Sequence, residues 1–194
     1  MRYALLFLFF FPLYGVTQEE AFNRLIIGNK QFAKGESGYA KEERTDIIAQ
    51  QNPFAIILSC SDSRLPPESI FNQRLGDLFV VRVAGNVAGP IELQSIEYAV
   101  LHLHPRLLVV LGHENCGAVT ATLTGDTQDI ETIAELIRQA VTKGEALQQA
   151  VKANVKNVIR YLQQTPHLKS LIDQGKIEIK GGYYSMQTGL VTWL

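Results

Sequence analysis

Three continuous apolar runs set the framework of this chain. They are Phe54, Ala55, Ile56, Ile57 and Leu58; the stretch 78–83, apolar except for Arg82; and Leu107, Leu108, Val109, Val110 and Leu111. Each has the length of a strand and lacks polar alternation, the pattern of strands buried on both faces of a parallel sheet. Between the second and third runs, Ile91, Ile96, Ala99, Val100 and Leu103 recur at helical spacing. Strand, helix and strand in that order predict a right-handed crossover unit. Two amphipathic stripes follow Cys116: Ile130, Ile133, Ala134, Ile137 and Val141, then Leu147, Val151, Val155, Val158 and Leu162. Pro166 opens a shorter helical segment through Ile172. The stretch 176–180 alternates charged and apolar residues, which predicts a half-exposed strand ending at Gly181-Gly182. The stretch 190–194 predicts a last edge strand. Upstream, Phe22, Leu25, Ile26 and Phe32 predict a helix that Gly35 and Gly38 end, and residues 44–51 predict a shorter one stopped before Pro53. The predicted fold is α/β: a single domain with a mostly parallel central β-sheet flanked by helices, and an N-terminal helical arm.

The first residues read differently. Arg2 precedes a dense apolar run over residues 3–11, which Pro12 breaks. The run is shorter than the ~20 apolar residues a membrane-spanning helix needs. A basic start and a short apolar core form the pattern of a secretory signal peptide over residues 1–17, with a mature domain over 18–194. No A-x-A cleavage pattern follows, and an uncleaved apolar anchor is the competing reading. Past this segment no run is long enough for a transmembrane helix, so no stable membrane insertion is expected after processing. The expected location is a bacterial periplasm or the exterior.

Composition narrows the function. Of 194 residues, 46% are hydrophobic and 19% charged, which suits one packed domain. A formal net charge of −1 gives no basic excess, so no nucleic-acid partner is expected. Cys60 and Cys116 are the two cysteines of the chain, too few for a disulfide framework. They pair once, lie inert in the core, or do chemistry.

Two polar clusters follow apolar strands. One is Ser59-Cys60-Ser61-Asp62-Ser63-Arg64, after the run ending at Leu58; the other is Gly112-His113-Glu114-Asn115-Cys116-Gly117, after the run ending at Leu111. Ligands of open α/β sheets bind outside the carboxyl ends of the strands, so adjacent strands would bring these clusters together. Cys60, His113 and Cys116 would supply two thiolates and an imidazole. That set suits Zn²⁺ and leaves a fourth tetrahedral position for water. His102, His104 and His167 lie outside both clusters and read as ordinary histidines.

Together these motifs resemble the β-class carbonic anhydrases. Residues 60–64 and 113–117 carry the likeness, with the stretch 76–86 between them and residues 95–100 adding to it. The resemblance implies one zinc ion per chain on Cys60, His113 and Cys116. It implies a carbonate dehydratase, a lyase that hydrates carbon dioxide reversibly to bicarbonate and a proton by attack of zinc-bound hydroxide. By the same resemblance Asp62 and Arg64 are catalytic: Asp62 either ligates the metal in an inactive form or pairs with Arg64 and accepts a hydrogen bond from the hydroxide. Gln51, Phe79, Ala84, Tyr98 and Gly117 match the substrate pocket, and part of that wall comes across a dimer interface. Ala84 stands where relatives often have a larger valine. Some members carry an inhibitory bicarbonate site built on a Trp three residues before the first zinc Cys, an Arg matching Arg82 and a C-terminal Tyr matching Tyr184. Here Ile57 holds the Trp position, which argues against that switch. A homo-oligomer, dimer or tetramer, is implied as well. Two alternatives compete: hydrolysis of carbonyl sulfide or carbon disulfide on the same scaffold with the same metal residues, and a non-enzymatic redox or metal-storage role with Cys60 and Cys116 in a disulfide, which leaves Asp62, Arg64 and His113 without purpose.

Overall fold

The computed structural model of this protein describes Arg44, Thr45 and Ile47–Leu194. The chain divides into two compact units, Met1–Asp46 and Ile47–Leu194. The predicted signal peptide and the helix predicted from Phe22 to Phe32 lie outside the described residues. Arg44 and Thr45 are helical. Residues 47–49 form a turn and bends, so the helix predicted over 44–51 does not continue past Ile47.

Ile47–Leu194 is built on a five-stranded sheet in the order β2-β1-β3-β4-β5. The strands are β1 (Ala55–Ser59), β2 (Leu78–Arg82), β3 (Leu107–His113), β4 (Glu178–Tyr184) and β5 (Val191–Trp193). The first four run parallel and β5 closes antiparallel on β4. The predicted mostly parallel α/β architecture is the observed one. The helices are α1 (Pro67–Ile70), α2 (Pro90–His102), α3 (Gly117–Thr124), α4 (Glu131–Arg138), α5 (Leu147–Gln164) and α6 (Pro166–Asp173). A 3₁₀ turn at Ala84–Asn86 joins β2 towards α2. Helix α2 carries the chain from β2 past β1 to β3, which leaves β1 in the middle with a neighbour on each side.

Local chemistry explains the boundaries. Helix α2 starts at Pro90, whose missing N–H is an orphan in the first turn anyway, and Glu92 Oε2 accepts the Gly89 N–H at 3.0 Å. Helix α5 ends at Thr165, which Pro166 holds extended at φ −69, ψ 139. The two sheet faces are both buried. Ile56, Leu58, Leu108 and Val110 pack with Ile96, Ala99, Val155, Val158 and Leu162 of α2 and α5. Ile57, Val109 and Leu111 form a smaller cluster on the opposite face. Continuous apolar runs were therefore the right signature for these strands.

Strand β4 differs from expectation. It runs through Gly181 and Gly182 rather than ending there, and residues 181–183 are buried. The reason is close packing. A Cβ on Gly181 would lie 2.9 Å from Ile159 Cδ1 and 3.0 Å from Val155 Cγ1, and one on Gly112 of β3 would lie 2.7 Å from Val155 Cγ2 and 2.8 Å from Val151 Cγ1. The glycines let α5 press onto β3 and β4.

Candidate metal centre

Parallel register builds the centre. Ser59, the last residue of β1, pairs with Leu111 of β3, and β3 continues two residues further to His113. Cys60 therefore leaves β1 beside the extended end of β3. Asn115 takes a left-handed conformation (φ 55), which asparagine tolerates, and turns the chain so that Cys116 comes back beside His113. Cys116 caps the start of α3. The ligand atoms of Cys60, His113 and Cys116 all lie within 4.8 Å of one another, and all three residues are buried. No other His, Cys, Asp or Glu among the described residues joins this cluster.

The donors are prepared for a cation. His113 Nδ1 donates to the Glu114 carbonyl at 2.8 Å, so in the neutral ring Nε2 is the nitrogen that presents a lone pair. That Nε2 is buried without a hydrogen-bond partner. Cys60 Sγ accepts the Gly85 N–H at 3.3 Å. The thiol of Cys116, donating to Cys60, pulls the Cys60 thiol well below its ordinary value against the effect of burial; His113 and the N–H groups of Gly85 and Asp62 add to this. Cys116 is pushed up, first by that same bond to Cys60 and then by burial. Two buried sulfurs and an imidazole nitrogen whose ligand atoms converge within 4.8 Å fit a thiophilic divalent metal, whose binding would displace the thiol protons.

Around this cluster the loop 60–65 is held firmly. Asp62 Oδ1 accepts the Arg64 N–H at 3.0 Å and Arg64 Nε at 2.9 Å, while Oδ2 accepts Arg64 Nη2 at 2.7 Å. The Arg64 guanidinium holds the Asp62 carboxyl well below the usual carboxylate range, with the Arg64 N–H contributing. Arg82, at the end of β2, donates to the Cys60 carbonyl at 3.0 Å and the Asp62 carbonyl at 2.6 Å. On the other side, Glu114 accepts the Ser185 hydroxyl at 3.0 Å and the Gln187 N–H at 3.1 Å, tying the His113 loop to the turn after β4.

The remaining pocket residues divide. Ala84 is half-buried beside Gly85, and Gly117 is the exposed first residue of α3, so both flank the cluster. Gln51 is exposed ahead of β1, whereas Cys60 follows its far end, across five residues of strand and roughly 16 Å. Phe79 and Tyr98 face each other with ring centroids 6.2 Å apart on β2 and α2, and Tyr98 also packs on His102 at 5.0 Å. Neither joins the metal cluster within this chain. Sequence reasoning gave no structural part to Gly85 or Asn154, and took Arg82 only as part of a switch. Asn154 had one visible signal, a polar residue inside an otherwise apolar helical stripe.

Comparison with known proteins agrees with this geometry. The carbonic anhydrase family model matches residues 55–191. Carbonic anhydrase 2 of Mycobacterium tuberculosis is 47% identical over 106 residues, covering 53% of this chain and 51% of that protein. The match thus spans about half the length of that relative. A carbonic anhydrase of Synechocystis sp. is 30% identical over 189 residues, covering 87% of this chain and 69% of that one. Among solved structures, the beta-carbonic anhydrase CcaA superposes with a TM-score of 0.79 at 26% identity, covering 89% of this chain and 87% of the other. A Coccomyxa beta-carbonic anhydrase solved with acetazolamide gives 0.77 at 26% identity, with 88% and 85% covered. The likeness takes in the sheet and both loops that carry the donor cluster, and this chain belongs to the carbonic anhydrase family, in its β class.

Proposed function

We propose that this chain holds one zinc ion on Cys60, His113 and Cys116 and catalyses the reversible hydration of carbon dioxide to bicarbonate and a proton. The observation that carries the reading is the buried convergence of two sulfurs and one bare imidazole nitrogen within 4.8 Å, with no fourth side chain closing the set among the described residues. Two thiolates and an imidazole suit zinc, and three protein ligands are the number found where a position is kept for a reactant. Zinc so held would supply Lewis acidity and lower the pKa of water, though less far than on three neutral imidazoles, because the two thiolates formally cancel the charge of the ion.

The chain's own residues do the rest. The Glu114 carbonyl fixes the His113 tautomer so that Nε2 presents its lone pair. Asp62, ionised and acceptor-only, would accept a hydrogen bond from the attacking oxygen and so turn a lone pair of that oxygen towards the substrate carbon. Arg64 keeps the carboxylate in place with charge-assisted bonds to both of its oxygens. The Gly117 N–H opens α3, where a helix N-terminus favours an anionic product.

The reading includes a homo-oligomer in which Gln51, Phe79 and Tyr98 complete the pocket of a neighbouring subunit. It is supported by the edge of β2, which no strand pairs among the described residues, and by Ile91, Tyr98 and Leu101 of α2, which are 70%, 48% and 42% exposed. Export by residues 1–17 rests on their hydropathy, and N-terminal sequencing of the secreted product tests it. Stopped-flow hydration of carbon dioxide by the zinc-loaded chain, with metal analysis and a Cys60→Ser control, tests the activity. About one zinc per chain and zinc-dependent hydration are expected. Hydrogen sulfide release from carbonyl sulfide without carbon dioxide hydration would instead favour the hydrolase alternative.

A further inference from the structure

Helix α5 turns a stripe of Ala150, Val151, Val155, Val158 and Leu162 to the core, and Asn154 sits among them, fully buried. An amide in such a place is costly unless it is hydrogen-bonded. Asn154 Nδ2 donates to the Gly85 carbonyl at 2.8 Å, a contact 69 residues apart in sequence. Gly85 in turn gives its own N–H to Cys60 Sγ at 3.3 Å. One residue is thus gripped on its carbonyl side by α5 and touches the sulfur on its amide side.

Gly85 needs that grip. It lies at φ 72, ψ 12 inside a 3₁₀ turn, a left-handed conformation that breaks the regular hydrogen-bond pattern. Glycine is the softest residue about its Cα, so its two peptide planes are set by what holds them. Ile137 and Ala118 fill the space where a side chain would be, which blocks movement to one side. The Asn154 amide fixes the carbonyl plane.

We propose that Asn154 is a positioning residue of the metal centre: through Gly85 it keeps an N–H aimed at the Cys60 sulfur and so sets how strongly that sulfur holds the metal. The proposal rests on Cys60 being a metal ligand. An N–H directed at a ligating thiolate draws charge from the sulfur and fixes its orientation, as outer hydrogen bonds do for other metal ligands. A merely structural Asn154 would contribute stability and leave the sulfur unchanged.

Cobalt(II) separates the two. The full chain and its Asn154→Leu variant, which keeps the volume and removes the donor, are loaded with Co²⁺, and the sulfur-to-cobalt charge-transfer band and the Co²⁺ affinity are measured. Once the Gly85 N–H is no longer held on it, the sulfur becomes more electron-rich, so the band is expected to move to longer wavelength, while loss of the sulfur's fixed orientation is expected to lower the affinity by about tenfold. An unchanged band and affinity, even with a lower melting temperature, overturns the proposal. If the variant does not fold, the wild-type chain labelled with ¹⁵N and loaded with ¹¹³Cd²⁺ gives the answer: coupling between cadmium and the Gly85 amide proton is expected, and an observed Gly85 amide without it overturns the proposal. Wild-type protein that takes up neither ion removes the metal reading itself, and the proposal with it.

Discussion

Replacing Gly85 with alanine sets two separate costs on one new methyl group. The first is conformational: a side chain in the left-handed region, here at φ 72, costs about 1–2 kcal/mol. The second is steric. The new Cβ would lie 2.9 Å from Ile137 Cδ1 and 3.3 Å from Ala118 Cβ. Ile137 is fully buried among Cys116, Val119 and Val151, so its terminal methyl cannot swing into solvent. Overpacking of this kind, relieved by a small shift of one methyl, costs about 1 kcal/mol at the low end of its range. Gly85→Ala should therefore destabilise the chain by about 2–3 kcal/mol. Ile137→Val deletes Cδ1 and alone costs about 1 kcal/mol. If the two effects were independent, the double variant would lose about 3–4 kcal/mol; because Ile137→Val removes the clashing atom, it should lose about 2–3, a coupling near 1 kcal/mol that exceeds the ~0.5 kcal/mol scatter of additive pairs. Urea unfolding of the metal-free chain with linear extrapolation measures all three values. A strictly additive double variant, or a single Gly85→Ala loss within ~0.5 kcal/mol of zero, would refute the account of how this turn is packed.

Three other outcomes are expected. Cys60→Ser should lower zinc content in dialysed protein from about one per chain towards zero, since one of three donors is lost; retention of a full equivalent would remove Cys60 from the ligand set. Arg64→Ala should slow carbon dioxide hydration by at least about tenfold while thermal stability changes little, because the Arg64 side chain is 54% exposed; an undiminished rate would end the orienting role of Asp62 and Arg64. Tyr183 is raised above its ordinary value by burial, with the Glu114 charge adding. A raised phenol stabilises the fold fully below the unfolded pKa of ~10 and loses that contribution as pH rises through the folded value. Unfolding titrations should therefore show wild-type stability falling more steeply above pH ~10 than that of Tyr183→Phe, and parallel curves would contradict the assignment.

The parallel strands could be read from sequence because burial on both faces removes polar alternation, as at residues 55–59 and 107–111. The convergence of Cys60, His113 and Cys116 was legible for a related reason: polar side chains emerging directly from such runs stand at strand ends, where sites form. What escaped was information held by contact rather than by periodicity. Gly181 and Gly182 looked like a strand terminator, yet their lack of side chains serves Ile159, Val155 and Val191 pressing from neighbouring elements. Asn154 belongs to a helix whose apolar stripe was visible, but its partner, Gly85, is 69 residues away. The cause of the short α1 and the 3₁₀ turn is likewise tertiary, since neither has the length to carry a period of its own. Tyr98 and Phe79 met each other as a pair, but at the sheet edge rather than at the cluster.

The order of strands in the sheet also sets an order of events. Strand β1 is synthesised before both of its neighbours, and Cys60 at its end cannot meet His113 and Cys116 until β2, α2 and β3 have emerged and docked. A ribosome-bound chain stopped short of residue 113 has one of the three donors, and one stopped short of residue 116 has at most two. Metal capture on these residues would therefore be a late event in the life of this polypeptide, and a cell that moved it unfolded across a membrane would deliver it empty, leaving the ion supply of the destination to decide how much of it becomes active.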